Sequence, residues 1–75
     1  MKVFAIELKA FESIAKIKAL QKLMDSTNAV GIHPDHPFAY VLFRTHDDLI
    51  NGFKEYSKVF EYCKIVKNVA EIPDC

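Results

Sequence analysis

The stretch HPFAYVLF, residues 36–43, constrains the fold more than any other part of the chain. Positions 38–43 contain no charged residue and are rich in aromatic and aliphatic side chains, which favours a β-strand. Because successive side chains of a strand point to opposite faces, this strand has two apolar faces. We expect a central strand, with one face in the core and the other against a partner molecule.

Two segments elsewhere in the chain have helical spacing. Apolar residues recur at steps of three and four over 10–25, which predicts an amphipathic helix. Thr45 followed by Asp48 is typical of a helix N-terminus, and apolar residues at helical spacing continue over 45–58. Gly52 lies within this second helix, and a residue without a side chain there would let the helix approach a sheet closely.

Four segments are expected to be strands because they are short, apolar and bounded by polar or turn-forming residues. These segments are KVFAIEL (2–8), AVGI (29–32), FAYVLFR (38–44) and EYCKIVKNV (61–69). PDHP (34–37) predicts a tight turn between the second and third strands. The order strand, helix, strand, strand, helix, strand predicts an α+β fold of ferredoxin-like βαββαβ type, a four-stranded antiparallel sheet with two helices on one face. We expect one domain over 1–75, with a short tail at 70–75.

Composition narrows the classes of function. Ten basic and ten acidic residues give a formal net charge of zero, which argues against strong, sequence-independent binding to the phosphates of a nucleic acid. Two cysteines are too few for a disulfide framework, and we expect free thiols. Neither a signal peptide nor a membrane-spanning run is evident, so a cytoplasmic protein is expected.

No catalytic or metal-binding motif is evident. HPDH (33–36) and the segment 46–48 hold histidines and aspartates, but their spacing does not match a zinc site. Cys63 has no neighbouring residues of a kind that would activate a nucleophile, and it is expected to be a small buried side chain. We therefore predict a binding protein that is not an enzyme and needs neither a metal nor a cofactor.

The third predicted strand resembles the main signature of the RNA-recognition motif family, which runs Lys/Arg, Gly, aromatic, Gly/Ala, aromatic, Val, any residue, aromatic. The positions that fit are Phe38, Ala39, Tyr40, Val41 and Phe43. The first predicted strand is similar to the shorter signature of that family at Val3, Phe4 and Leu8. The resemblance covers about residues 2–70 and implies the same fold, with RNA binding on the sheet.

Alternation along the third strand puts Ala39, Val41 and Phe43 against the helices. On the first strand, we expect Val3 and Ala5 to face inward. The outer face would then present the remaining apolar side chains of both strands, namely Phe4, Ile6, Phe38, Tyr40 and Leu42.

The resemblance implies that the aromatic positions on this face stack single-stranded RNA bases. These positions are Phe4, Phe38 and Tyr40. The candidate phosphate contacts are Lys2, Arg44 and Lys67.

A protein partner is the alternative for the same face. His36 and Pro37 stand where the family has a cation and a glycine, and Glu7 brings a negative charge near the predicted base-stacking rings. Ile6 and Leu42 make the face more apolar than base stacking needs, and such faces are typical of protein interfaces. The partner would be a second copy in a homodimer, or a protein that the chain inhibits or regulates.

Overall fold

The structure is a computed structural model that describes residues 4–66. Its elements are β1 (Phe4–Leu8), α1 (Ile14–Ser26), β2 (Gly31–Asp35), β3 (Phe38–Phe43), α2 (His46–Tyr56) and β4 (Cys63–Val66). The four strands form one antiparallel sheet in the order β2-β3-β1-β4. The α+β fold with a four-stranded antiparallel sheet and two helices is confirmed, and it is compatible with a ferredoxin-like fold. The predicted tail at 70–75 lies outside the described residues.

The first helix begins later than predicted. Ser13 is its N-cap, with a side-chain oxygen that accepts a hydrogen bond from the backbone N–H three residues ahead, at 3.2 Å. Ala10 is fully buried in the core, and the N–H of Phe11 donates to the carbonyl of Pro37 at 3.3 Å. The backbone at 10–12 is therefore tied to the β2–β3 connection instead of forming a first helical turn.

Side-chain hydrogen bonds mark the two helix ends that the sequence predicted. At the end of α1, the Thr27 hydroxyl donates to the carbonyl of Leu23 at 2.7 Å. At the start of α2, the Thr45 hydroxyl accepts from the N–H of Asp48 at 3.1 Å. The Asp48 carboxylate accepts from the Asn28 side chain at 3.0 Å, so this carboxylate joins the ends of the two helices.

The second strand begins two residues and ends three residues later than predicted, at Gly31–Asp35 instead of 29–32. It runs through Pro34 and Asp35, so the turn is confined to His36 and Pro37. Pairing with β3 continues along the whole of β2, including Pro34 opposite Ala39. A proline is tolerated here because β2 is an edge strand, where one side of the backbone has no strand to pair with.

One hydrophobic core lies between the sheet and the two helices. The cluster comprises Ile6, Leu8, Ala10, Leu20, Ala39, Val41, Phe43, Leu49, Tyr56 and Phe60. The expectation that Ala39, Val41 and Phe43 face the helices is thus confirmed. Phe43 packs edge-on against Tyr56, with ring centroids 6.3 Å apart.

The prediction that Phe4 and Ile6 face outward is wrong. Phe4 pairs with Phe43 and Ile6 pairs with Val41, and residues directly opposite each other share a face of the sheet. Ile6 is accordingly 0% exposed and belongs to the core, and Phe4 packs against the same cluster. Ala5, expected inside, lies on the other face. A one-residue change of register turns every side chain of a strand over, so the whole of β1 is reversed relative to the prediction.

The close approach predicted for Gly52 is confirmed. A Cβ atom built on Gly52 would lie 2.5 Å from the Phe43 ring, closer than van der Waals contact permits. Helix α2 therefore rests its backbone directly on β3.

We predict that Gly52→Ala lowers the free energy of unfolding by about 1–3 kcal/mol, because the added methyl group overpacks the core against Phe43. This loss should exceed the gain of up to about 1 kcal/mol that alanine brings to a helix. Gly31→Ala is the matched control, since its Cβ would meet only the Leu42 side chain at 3.9 Å. Urea unfolding measures both, and equal stabilities of the two variants would contradict the prediction.

Candidate functional site

The face of the sheet opposite the core is the candidate site, and we call it the outer face. Alternation and register assign to it residues from all four strands. They are Ala5 and Glu7 of β1, Gly31, His33 and Asp35 of β2, Phe38, Tyr40 and Leu42 of β3, and Lys64 and Val66 of β4. Neither described helix packs on this face, because both contribute to the core on the opposite side.

A row of polar and aromatic side chains crosses the middle of the outer face. The row occupies paired positions on the four adjacent strands: His33 of β2, Tyr40 of β3, Glu7 of β1 and Lys64 of β4. The rings of His33 and Tyr40 are 6.2 Å apart and tilted. The two central strands therefore bring a phenol and a carboxylate together at the centre of the face.

Glu7 organises the aromatic residues around it. The hydroxyl of Tyr40 donates to one carboxylate oxygen at 2.9 Å, and the hydroxyl of Tyr62 donates to the other. Phe38 lies against the Tyr62 ring, with centroids 5.4 Å apart and planes inclined at 51°. We call Glu7, Phe38, Tyr40 and Tyr62 the Glu7 cluster.

The electrostatics of the cluster are dominated by negative charge. The hydrogen bond to Glu7, with burial and the nearby carboxylates of Glu7 and Asp35 acting in the same direction, raises the pKa of Tyr40 to about 12. The hydrogen bond to Glu7 also raises the pKa of Tyr62. Both phenols therefore remain protonated donors at neutral pH, and Glu7 holds them in fixed positions.

A cation lies beside the cluster. The Lys64 ammonium lies over the Tyr62 ring, 5.0 Å from its centroid, in a cation–π contact. Lys64 is exposed and pairs across the strands with Glu7. The Tyr62 ring is thus already in contact with a positive charge.

The predicted site residues separate into three groups. Phe38, Tyr40 and Leu42 lie on the outer face as expected, whereas Phe4 and Ile6 lie on the core face. Their roles in binding stay predictions. Of the predicted phosphate contacts, Lys2 and Lys67 are outside the described residues.

The third predicted phosphate contact is Arg44. It is exposed directly after β3. Arg44 is six residue steps along an extended chain from Phe38, a distance of about 20 Å. The side chains predicted to contact a base and a phosphate are thus at opposite ends of the strand.

Tyr62 belongs to the cluster but was not among the predicted site residues. It immediately precedes β4, in the segment predicted as the fourth strand. Alternation puts Tyr62 on the same side as Lys64 and opposite to Cys63. The pattern was therefore sufficient to assign a face to Tyr62, but its partner Glu7 required the register between strands.

The histidines do not converge on a common site. His36 stacks on Phe11 with centroids 5.4 Å apart, and His46 contacts Phe4 edge-on at 5.8 Å. His33 lies in β2, beside a different aromatic residue. Within residues 4–66, no group of three or more His, Cys, Asp or Glu side chains is arranged to hold a metal ion.

Cys63 lies on the core side of β4 and is partly buried. Burial raises the pKa of its thiol to about 11, so the thiol is protonated and unreactive at neutral pH. Across the part of the chain that the structure describes, neither helix has the length and apolar character needed to span a membrane.

Comparison with known proteins shows one partial similarity in sequence. An NAD kinase of Lactobacillus gasseri is 30% identical over 66 residues, which is 88% of this chain. Those residues are 24% of the kinase, so the chain spans about a quarter of the length of this relative. No family model matches the chain. No solved structure matches it either.

We predict that Glu7→Gln lowers the pKa of Tyr40 from about 12 towards its ordinary value of 10.0, because the substitution removes the negative charge next to the phenol. Ring-selective NMR titration measures this change. Tyr56 is the internal control, since its pKa is raised chiefly by burial on the core side. An unchanged Tyr40 midpoint in the variant would show that Glu7 does not control this phenol.

The same shift has a consequence for stability. The pKa of Tyr40 is higher in the folded chain than the ordinary value that applies when it is unfolded. The stability gained from this phenol is therefore complete below pH 10 and is lost as the pH rises through about 12. In the Glu7→Gln variant, the Tyr40 pKa differs less between the folded and unfolded chain. Less stability should therefore be lost as the pH rises from 10 to about 12, and urea unfolding across this range measures the difference.

Proposed function

We propose that this chain is a protein-binding domain that acts by contact through its outer face and not by catalysis. The observation that carries the proposal is the position of Glu7, whose carboxylate accepts hydrogen bonds from Tyr40 and Tyr62, with Phe38 packed against the Tyr62 ring. Because the Tyr40 and Tyr62 hydroxyls are already bonded to Glu7, these side chains lose little conformational entropy when a partner contacts them. Aromatic residues in such positions are typical of protein interfaces.

Single-stranded RNA binding is the second candidate. It is supported by Phe38, whose ring is partly exposed on the outer face of β3 and on which a base can stack, whereas Tyr40, two residues further on, is only 8% exposed. Phe4, the third ring implied by the resemblance, lies on the core face instead. The carboxylates of Glu7 and Asp35 repel a phosphate backbone, so a protein partner is the better supported candidate.

The proposal includes a ferredoxin-like fold in a cytoplasmic setting. The fold is supported by the element order and by β1 and β3 as the central strands, which is the pattern expected of a split βαβ arrangement. A cytoplasmic location is supported by Cys63, which is a free thiol, as is usual in a reducing compartment.

The similarity to a quarter of an NAD kinase does not lead us to propose kinase activity. A glycine-rich loop commonly supplies the backbone N–H groups that hold the phosphates of a nucleotide. The sequence contains two glycines, Gly31 and Gly52. One lies in an edge strand and the other is packed on Phe43, so neither belongs to such a loop.

Photo-crosslinking in the bacterial cytosol tests the proposal. We predict that p-benzoylphenylalanine in place of Phe38 yields a discrete protein adduct, because this side chain lies on the outer face. The matched control has the same photoreactive residue in place of Lys54, which is exposed on α2 on the helix-covered side. The control should yield no adduct of the same mass.

Treatment with nuclease separates the two candidates. An adduct at position 38 that survives nuclease supports protein binding, and one that has twice the mass of the chain identifies self-association. An adduct that nuclease removes would overturn the proposal in favour of RNA. Identical products at positions 38 and 54 would show that the outer face is not the binding surface.

A further inference from the structure

We infer that the Glu7 cluster binds a cationic side chain, arginine or lysine, from a basic segment of a partner protein. This inference rests on the proposed function and specifies the chemistry of the partner. It concerns three aromatic rings and one carboxylate that the fold brings together from β1, β3 and the start of β4.

The cluster has the components of a cation site. The faces of aromatic rings attract a positive charge, and the attraction is strongest when several rings and a carboxylate converge. Phe38 and Tyr62 pack against each other with planes inclined at 51°, and both rings are partly exposed. Glu7 is partly exposed, and among residues 4–66 each of its oxygens accepts one phenol hydrogen bond. A carboxylate has about four acceptor positions, so Glu7 retains the capacity to accept from a guanidinium or an ammonium.

The structure contains an internal example of the contact. Lys64 already places its ammonium over the Tyr62 ring at 5.0 Å. Lys64 is exposed, and its long side chain can leave this position without disturbing the core. We infer that Lys64 occupies the site in the free chain and competes with the partner's cation.

The surrounding charge also favours a basic partner. Asp35 lies on the outer face opposite Phe38, so a second carboxylate lies near the cluster in addition to that of Glu7. Lys64 offsets one of these charges, and Arg44 lies about 20 Å from Phe38 along an extended strand. The charge near the rings is therefore complementary to an arginine or a lysine and opposed to a phosphate.

A foreign segment fits this site better than a second copy of the chain. The exposed cations on α1, Lys18 and Lys22, belong to a different surface from the Glu7 cluster. Contact between them and the cluster of another copy would be head-to-tail, and such contacts produce open assemblies unless the rotation closes a ring. Lys64 lies on the outer face itself, but its ammonium already contacts the Tyr62 ring of its own chain. We therefore assign the site to a basic segment of another protein.

Peptide titration followed by ¹H–¹⁵N NMR tests the inference. The probe is a short peptide of alternating arginine and serine, and the control peptide has glutamine in place of each arginine. We predict that the arginine peptide shifts the amides of Glu7, Tyr40 and Tyr62 and that the glutamine peptide does not. The binding should weaken as salt is added, because the contact is partly electrostatic.

Three variants make the test specific to the cluster. Glu7→Gln should weaken binding of the arginine peptide about two- to fivefold, the amount expected for losing one exposed ion pair. Lys64→Gln should strengthen binding, because it removes the competing ammonium, and a merely structural role of the cluster does not predict this gain. Glu55→Gln makes the same charge change on α2, away from the outer face, and should leave binding unchanged.

The outcomes that overturn the inference are distinct from failure of the proposed function. The inference is overturned if both peptides bind equally, or if Glu7→Gln and Glu55→Gln have equal effects. It is also overturned if Lys64→Gln weakens binding. If position 38 crosslinks a protein while the arginine peptide does not bind, the inference is wrong and the proposed function stands. Light scattering that shows self-association lost in Lys22→Glu would identify the occupant as a second copy. If Glu7→Gln fails to fold, the Lys64→Gln result decides.

Discussion

The antiparallel pairing of β1 with β3 determines how the rest of the molecule is arranged. With Glu7 opposite Tyr40, the apolar positions Phe4, Ile6 and Leu8 all turn towards the helices. The same pairing leaves the charged residue of β1 on the outer face, next to a phenol that donates to it. In the alternative register, a carboxylate would be buried in the core without a partner, at a cost of several kcal/mol. The position of one acidic residue thus selects the inner and outer sides of the sheet.

The two faces of the sheet are stabilised by different means. On the inner face, α2 contacts Phe43 through Gly52, and close packing of apolar side chains supplies the stability. On the outer face, hydrogen bonds from Tyr40 and Tyr62 to one carboxylate hold the aromatic rings. These directional bonds fix the orientation of the rings, of which Tyr62 is partly exposed and Tyr40 is 8% exposed. The hydrogen bonds to Glu7 thus keep the aromatic side chains of the outer face ordered, although neither described helix packs on that face.

Much of the architecture was predictable from local patterns. The order of the six elements and the N-cap at Thr45 follow from hydrophobic period and side-chain hydrogen bonding within a few residues. Segment ends that depend on distant contacts were not predictable in this way. The start of α1 is set by the tie between Phe11 and Pro37, and the extent of β2 is set by its pairing with β3. Both involve residues more than about four positions apart, which a local pattern does not encode.

The candidate site was only partly predictable for the same reason. The sequence by itself determined that Phe38 and Tyr40 share one face of β3, because a strand has a period of two. It also placed a negative charge near these rings. Only the tertiary structure decided which face β1 presents and that Glu7 joins Tyr40 to Tyr62, residues separated by 22 positions in the chain. Alternation gives two equivalent choices for each strand, and the pairing between strands is the interaction that selects one.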